Sequence, residues 1–237
     1  MIYHLISSPR NLSTAMMYSF HHRGDTLVVD EPFYGYYLKK TGTQQPGYEE
    51  IIQTMINDSA DVIAGFGKNG RSKPHLFIKD MAHHLIDMDI SFINEHTPIF
   101  LIRNPKQLIA SFAQVIPNPK MEDVGLKRQY EIFQFLKEHG SKCIVVDSGD
   151  LIENIRPYME ELCTRLDLDF KESMISWPKG AIAEDGIWAK YWYKNIHQST
   201  GFSKQKTSDR ALPKNCEELY QESKIYYDEL SKYALKV

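Results

Sequence analysis

Four charged residues stand at the ends of short apolar runs. Arg10 follows Ile2-Tyr-His-Leu-Ile-Ser-Ser-Pro9, Glu31 follows Thr26-Leu-Val-Val-Asp30, Lys79 closes His75-Leu-Phe-Ile, and Arg103 closes Thr97-Pro-Ile-Phe-Leu-Ile. One such residue is unremarkable. Three cations and one acid on one rim suggest a pocket for a polyanion. Ser13 and Thr14 follow Arg10 and open a helix-compatible stretch that runs to His22. A loop there sets backbone N–H groups, two hydroxyls and a guanidinium at a helix N-terminus, where unpaired donors and the helix dipole suit a phosphate. The plainer alternative is an ordinary strand–turn–helix with a Ser N-cap. The loop is not the standard phosphate-binding pattern G-x-x-x-x-G-K-[ST]: Ser7 and Leu12 replace the glycines and Ser13 replaces the Lys.

The elements that must carry these residues follow from the spacing of apolar positions. Strands are expected at Ile2–Ser7, Thr26–Glu31, His75–Lys79, Thr97–Arg103 and Lys142–Asp147. Helices are expected at Tyr48–Phe66, Asp87–His96, Pro105–Val115, Met121–His139, Ile155–Leu166 and Glu217–Leu235, with Pro105 suited to a helix start and Gly140 to a stop. Gly65, Gly67 and Gly70 read as a break, Asp80–His84 as a polar loop, and Ser199–Asn215 as a loop. Alternating strands and helices give a parallel sheet covered on both faces, and ligands of such sheets bind outside the carboxyl ends of the strands. The expected architecture is therefore α/β, a three-layer α/β/α arrangement of five parallel strands. It forms one domain over 1–237, with a core at 1–166 and a helical C-terminal part at 167–237.

Composition narrows the function classes. The chain has 237 residues, 42% hydrophobic and 25% charged, with a net charge of −3, which argues against a broad nucleic-acid surface. Cys143, Cys163 and Cys216 are odd in number and match no metal or C-x-x-C spacing, so free thiols in a reducing cytosol are expected and no metal site is. The N-terminal residues lack the pattern of a signal peptide, and no apolar run is long enough to span a membrane, which points to a cytoplasmic protein.

Two spacings taken together carry a resemblance. Pro9-Arg10-Asn-Leu-Ser13-Thr14 follows the first strand, and Arg103-Asn-Pro-Lys-Gln-Leu-Ile-Ala-Ser111 follows the fourth. The pair resembles the nucleotide-binding motifs of sulfotransferases that use 3′-phosphoadenosine 5′-phosphosulfate (PAPS), which have a P-loop NTPase-like fold. The resemblance implies that Arg10, Asn11, Leu12, Ser13 and Thr14 surround the 5′-phosphosulfate and that Arg103 and Ser111 bind the 3′-phosphate. Pro178-Lys-Gly180, followed by Asp185-Gly186 and Trp188, looks like a loosened form of the family's C-terminal loop. That likeness implies 3′-phosphate contacts from Lys179 and Gly180. The family's Lys and Gly in the first loop are Arg10 and Leu12 here, and Ala15 stands where an aromatic often follows, so Trp188 is the candidate adenine face.

The same resemblance implies transfer of a sulfuryl group to a hydroxyl or amine of a small acceptor, with no metal. Arg10 and Lys79 would serve the leaving phosphate. The base would be Glu31, with His83 or His84 as alternatives; Asp30-Glu31-Pro32 fixes Glu31 at the rim with aromatics behind it. Phe33, Tyr34, Tyr36 and Tyr37 line an acceptor pocket or pack a cap, and His4 within the first strand reads as a buried, satisfied histidine. Two further readings stay open: a magnesium-dependent P-loop phosphotransferase or ATPase, with the acids of Thr26–Glu31 on the metal, and a nucleotide-binding interaction protein without catalysis.

Overall fold

The computed structural model describes residues 1–69, 72–203 and 210–237. Five strands, β1 (Ile2–Ser7), β2 (Thr26–Asp30), β3 (His75–Met81), β4 (Thr97–Ile102) and β5 (Ile144–Asp147), form one all-parallel sheet in the order β2-β3-β1-β4-β5. The helices are α1 (Ser13–His21), α2 (Tyr34–Thr41), α3 (Tyr48–Thr54), α4 (Ser59–Asn69), α5 (Pro105–Phe112), α6 (Met121–Val124), α7 (Leu126–Glu138), α8 (Ser148–Glu153), α9 (Ile155–Arg165), α10 (Ala189–Trp192), α11 (Lys194–Gln198) and α12 (Glu217–Ser231).

The strands are apolar throughout because both faces are covered. Alternate residues serve opposite layers. Leu5, Phe77, Ile99, Leu101 and Val146 face one core with α1 (Met16, Met17, Phe20) and α9 (Tyr158, Met159, Leu162). Ile6, Ile78, Phe100, Ile102 and Val145 face the other, with α4 (Val62, Phe66), α7 (Ile132, Phe133, Leu136) and Leu230 of α12. Register brings Asp30 opposite Lys79, and Ser7 opposite both Met81 and Leu101, so the strand ends share one rim. After α12 the chain runs along the outer strand, and the Leu235 N–H donates to the Val145 carbonyl at 2.9 Å.

The expected strands all form; several expected helices are shorter or divided. The Met121–His139 helix is split at Gly125, which lies at φ +72°, into α6 and α7. The Tyr48–Phe66 helix is divided where Met55 turns extended, and the Asp58 carboxylate accepts from the Ala60 and Asp61 N–H groups to start α4. Gly65 and Gly67 lie inside α4 rather than breaking it, and Gly70 falls outside the described residues. Asp87–His96 yields only a 3₁₀ turn at Ser91–Glu95, nucleated by Asp89 accepting from the Ser91 N–H. Asp80–His84 is not a solvated loop: β3 continues through Asp80 to Met81, and Ala82–His84 is a 3₁₀ turn with His84 buried. Of the expected loop Ser199–Asn215, residues 204–209 lie outside the described ones.

Candidate active site

A cavity of about 580 Å³ opens at the carboxyl ends of the strands. Its wall includes every residue of the first loop from Pro9 to Thr14, together with Glu31, His83, His84, Arg103, Ser111 and Trp188. The structure thus gathers on one rim the residues that sequence spacing singled out, with three exceptions treated below.

One end of the cavity is cationic. Asn11 fixes the first loop to the sheet by donating its side-chain amide to the Leu101 carbonyl at 2.8 Å. Arg10 adopts a left-handed backbone, φ +58°, in the turn between β1 and α1. Its Nε donates to Ser111 Oγ at 3.3 Å, and Arg103 Nη1 donates back to the Arg10 carbonyl at 2.5 Å. The two motifs, 101 residues apart between Arg10 and Ser111, are therefore one contiguous cluster. Arg210 stands close to both arginines. Burial and this mutual repulsion draw the Arg10 and Arg103 guanidiniums below the ordinary arginine range. No carboxylate among the described residues forms an ion pair with Arg10 or Arg103. Helix α1 adds the first-turn N–H groups that follow Ser13, whose own N–H donates to the Asn11 carbonyl; the N-cap is Leu12, with no side-chain cap. The expected Ser N-cap is thus corrected, since Ser13 is already inside the helix. Converging guanidiniums and uncapped helical donors without a resident acid form a site for a multiply charged anion.

The other end carries the acid. Glu31 is held in a left-handed conformation, φ +43°, and its N–H donates to the Lys79 carbonyl at 2.7 Å. Its carboxylate lies 2.5 Å from Lys79 Nζ through Oε1 and 3.9 Å from His84 Nδ1 through Oε2. Burial raises the Glu31 carboxyl to about 7; the Lys79 charge opposes that rise, and Asp30 and Asp80 add to it. His84 stacks on Tyr34 with ring centroids 4.8 Å apart. Burial keeps its imidazole neutral, and its Nδ1 has no hydrogen-bond partner. His83, lowered to about 4 by burial, packs edge-on against Tyr37 at 5.2 Å. Tyr34 and Tyr37 line the cavity. Phe33 is in the core, and the Tyr36 hydroxyl turns away to the Ile86 and Asp87 carbonyls.

Lys79, Lys179 and Gly180 depart from expectation. Lys79 is fully buried, and its three ammonium protons are all engaged, by Asp30 Oδ1 at 2.8 Å, Glu31 Oε1 at 2.5 Å and Tyr193 OH at 2.7 Å. No donor remains for a leaving phosphate, and Lys79 is not in the cavity wall. Burial opposes its charge, but Asp30 and Glu31 outweigh that and hold it firmly protonated. Lys179 and Gly180 also lie outside the cavity. Their segment pairs with 197–201 through Trp177 N–H to Thr200 O at 3.0 Å and Gly180 N–H to His197 O at 2.9 Å, which leaves Lys179 in solvent. The stretch it pairs with contributes Ser199 and Gly201 to the wall instead.

Sequence reasoning missed Arg210, Tyr193 and Gln129. Arg210 carries no motif. Tyr193 is both part of the core and a hydrogen-bonding partner of Asp30 at the strand end. Gln129, fully buried on α7, donates to the Ile6 and Leu101 carbonyls at 2.8 and 2.9 Å and accepts from Ser8 Oγ at 3.3 Å, tying the first loop to β4. A Gln on the apolar stripe of an amphipathic helix was its available signal. His4 is satisfied as expected, with Nε2 at 2.8 Å from Asp80. Among the described residues no group of three or more His, Cys, Asp or Glu is arranged to hold a metal ion, and no helix is long and apolar enough to cross a membrane.

The model of the sulfotransferase domain family matches residues 1–233, and the chain belongs to that family. Two curated relatives are from Arabidopsis thaliana. Branched-chain-amino-acid aminotransferase-like protein 1 is 35% identical over 96% of this chain and 41% of its own length; the like-named protein 2 is 34% identical over 90% of this chain and 38% of its own. The chain thus spans about two fifths of the length of these relatives. Among solved structures, the sulfotransferase domain of the Synechococcus PCC 7002 olefin synthase superposes with a TM-score of 0.60 at 16% identity, covering 93% of both chains. The sulfotransferase domain of the curacin biosynthetic pathway superposes with a TM-score of 0.57 at 12% identity, covering 99% of this chain and 98% of its own. These identities bear on the fold alone.

Proposed function

We propose that this member of the sulfotransferase family transfers a sulfuryl group from PAPS to a hydroxyl or amine of a small acceptor. One observation carries the reading: Arg10, Arg103 and Ser111 form a connected, acid-free cluster in the same cavity as Glu31, a buried carboxyl raised to about 7. PAPS supplies an activated sulfuryl group and leaves as the 3′,5′-bisphosphate, so its site must hold two anions and offset charge growing on the bridging oxygen. Ser13, Thr14 and the first-turn N–H groups of α1 serve the 5′ side. Arg103 and Ser111 serve the 3′-phosphate, and Arg10 spans the two, with Arg210 as a further cation. Glu31 takes the acceptor's proton. A carboxyl near neutrality is well matched to that task, being ionised often enough to act and basic enough to hold the proton. Neutral His84, with its free Nδ1, stands beside it as an orienting partner for the acceptor. We place the protein in a reducing compartment, on three unpaired cysteines.

The magnesium-dependent reading is disfavoured by a specific observation. Both acids that would hold the metal, Asp30 and Glu31, are bound to Lys79. The experiment is a thermal melt with adenosine 3′,5′-bisphosphate in EDTA. Saturation at about 100 times Kd adds about 2.7 kcal/mol to the folded state, or roughly 5–10 °C for a chain of this size. A shift with ATP and magnesium alone would establish the phosphotransferase reading, and no shift with either would favour a chain without this chemistry.

A further inference from the structure

Tyr193 sits between α10 and α11, in a segment that none of the nucleotide-binding motifs covers, yet its hydroxyl reaches the strand-end acids. It lies 2.9 and 2.8 Å from the two Asp30 carboxylate oxygens, 2.7 Å from Lys79 Nζ and 3.3 Å from Trp188 Nε1. The protons can be assigned from the chemistry of each group. Lys79 and Trp188 have only donors, and Asp30 has only acceptors when ionised, so the hydroxyl accepts from the first two and donates to the third. Asp30 Oδ2 also accepts from the Gly186 N–H at 3.1 Å. The result is a closed, buried ring, Lys79–Asp30–Tyr193, in which every donor has an acceptor. Glu31 hangs from this ring by one bond, to Lys79.

We propose that Tyr193 is a positioning residue for the acid at the cavity: its hydroxyl holds Asp30 as a partner of its own and so leaves Lys79 free to share its charge with Glu31. The proposal rests on the reading of Glu31 as the base. The groups facing Glu31 are Lys79 and Asp80 from β3, Asp30 from β2, His84 from the following turn and Tyr34 from α2. Of these, Lys79 favours the ionised carboxylate, and Asp30 and Asp80 oppose it. Without the Tyr193 hydroxyl, Asp30 loses a donor that offsets its charge and draws Lys79 toward itself. Both changes make Glu31 hold its proton more tightly. Docking of the C-terminal segment onto the strand ends thus sets the proton affinity of a residue more than 160 positions earlier in the chain.

The test needs neither nucleotide nor acceptor, so it fails or succeeds separately from the PAPS reading. The protein is labelled with ¹³C at the glutamate side-chain carboxyls, and the Glu31 signal is assigned by its loss in Glu31→Gln. Its titration is then followed in the intact chain and in two variants with opposite expected effects. Tyr193→Phe keeps the ring in its packing and should move the Glu31 midpoint upward by about half a unit or more. Asp30→Asn removes the competing charge and should move it downward. A merely structural role would shift neither in a defined direction. An unmoved or lowered midpoint in Tyr193→Phe overturns the proposal. Should that variant fail to fold, Asp30→Asn decides alone, and an unmoved or raised midpoint there overturns it equally.

Discussion

The burial of Lys79 makes a prediction that separates it from a ligand-binding lysine. In Lys79→Met the side chain keeps most of its volume and loses its charge. The ammonium is fully buried, and its partners Asp30 and Glu31 have side chains only 1% and 10% exposed. Removing it leaves two acids in a site that water barely reaches. Breaking a buried ion pair from one side costs about 3–5 kcal/mol, a large share of a total stability of about 5–15 kcal/mol. The loss carries a pH signature whose sign is fixed. Without Lys79 the Glu31 carboxyl titrates higher still than its value of about 7, far above an unfolded value near 4.5. Groups with a raised folded pKa contribute stability at low pH and lose it as pH rises toward that pKa. The variant should therefore approach the parent protein at pH 5 and fall away at pH 8, the gap widening by about 1 kcal/mol. Urea denaturation followed by circular dichroism at the two pH values measures this, and affinity for adenosine 3′,5′-bisphosphate should change less than about threefold. A variant equally stable at both pH values that has lost the nucleotide would refute the reasoning and return Lys79 to the phosphate.

Two further outcomes follow from the site and the core. Arg103→Ala should weaken adenosine 3′,5′-bisphosphate binding by about 10- to 100-fold, the value of one or two charge-assisted hydrogen bonds, while 5′-AMP loses less than about threefold by calorimetry. Equal losses for both nucleotides would count against a 3′-phosphate contact. Burial lowers four histidines most strongly, His4 and His96 to about 3, His83 to about 4, and His84 also, while His22 and His75 are lowered less. Their stabilising neutrality is complete above the unfolded value near 6.5 and is lost as pH falls below it, because only the unfolded chain takes up the protons. Glu31 and Asp80, raised by burial, act with the opposite sign and offset two of the four, and the smaller rise of Asp147 sets against the smaller falls of His22 and His75. About two protons remain, so stability should drop by roughly 2–3 kcal/mol per pH unit between pH 6 and 5. His96→Gln should shallow that slope by about one proton, and a flat profile from pH 7 to 5 would show that these imidazoles titrate normally in the fold.

Much of the frame was legible because a strand buried on both faces leaves a continuous apolar run, and all five runs became strands. The rim was legible for the same reason, since a charge at the end of such a run marks where the chain leaves the sheet; Arg10, Glu31 and Arg103 were found that way. The helices were read less well. Gly125 interrupts an unbroken amphipathic pattern through one positive φ, and Asp89 and Asp58 start turns through side-chain bonds that periodicity does not register. Lys79 was placed at the right height on the sheet and given the wrong partner. Its environment depends on β2 lying beside β3, so that Asp30 faces it, and on Tyr193 arriving from the far end of the chain. Both are tertiary facts with no local signature. Arg210 was invisible likewise, as a basic residue among polar ones.

The strand order has one more consequence. From β2, which ends just before Glu31, to β4, which ends just before Arg103, there are three lateral steps across the sheet, through β3 and β1. Each step is fixed by backbone hydrogen bonding at about 4.8 Å, so the strand axes carrying the acid and the guanidinium stand roughly 14 Å apart. The sheet is therefore a ruler laid crosswise. Exchanging side chains along it can tighten or loosen a grip at either mark, but only a change in the number of strands between them can alter the length it measures.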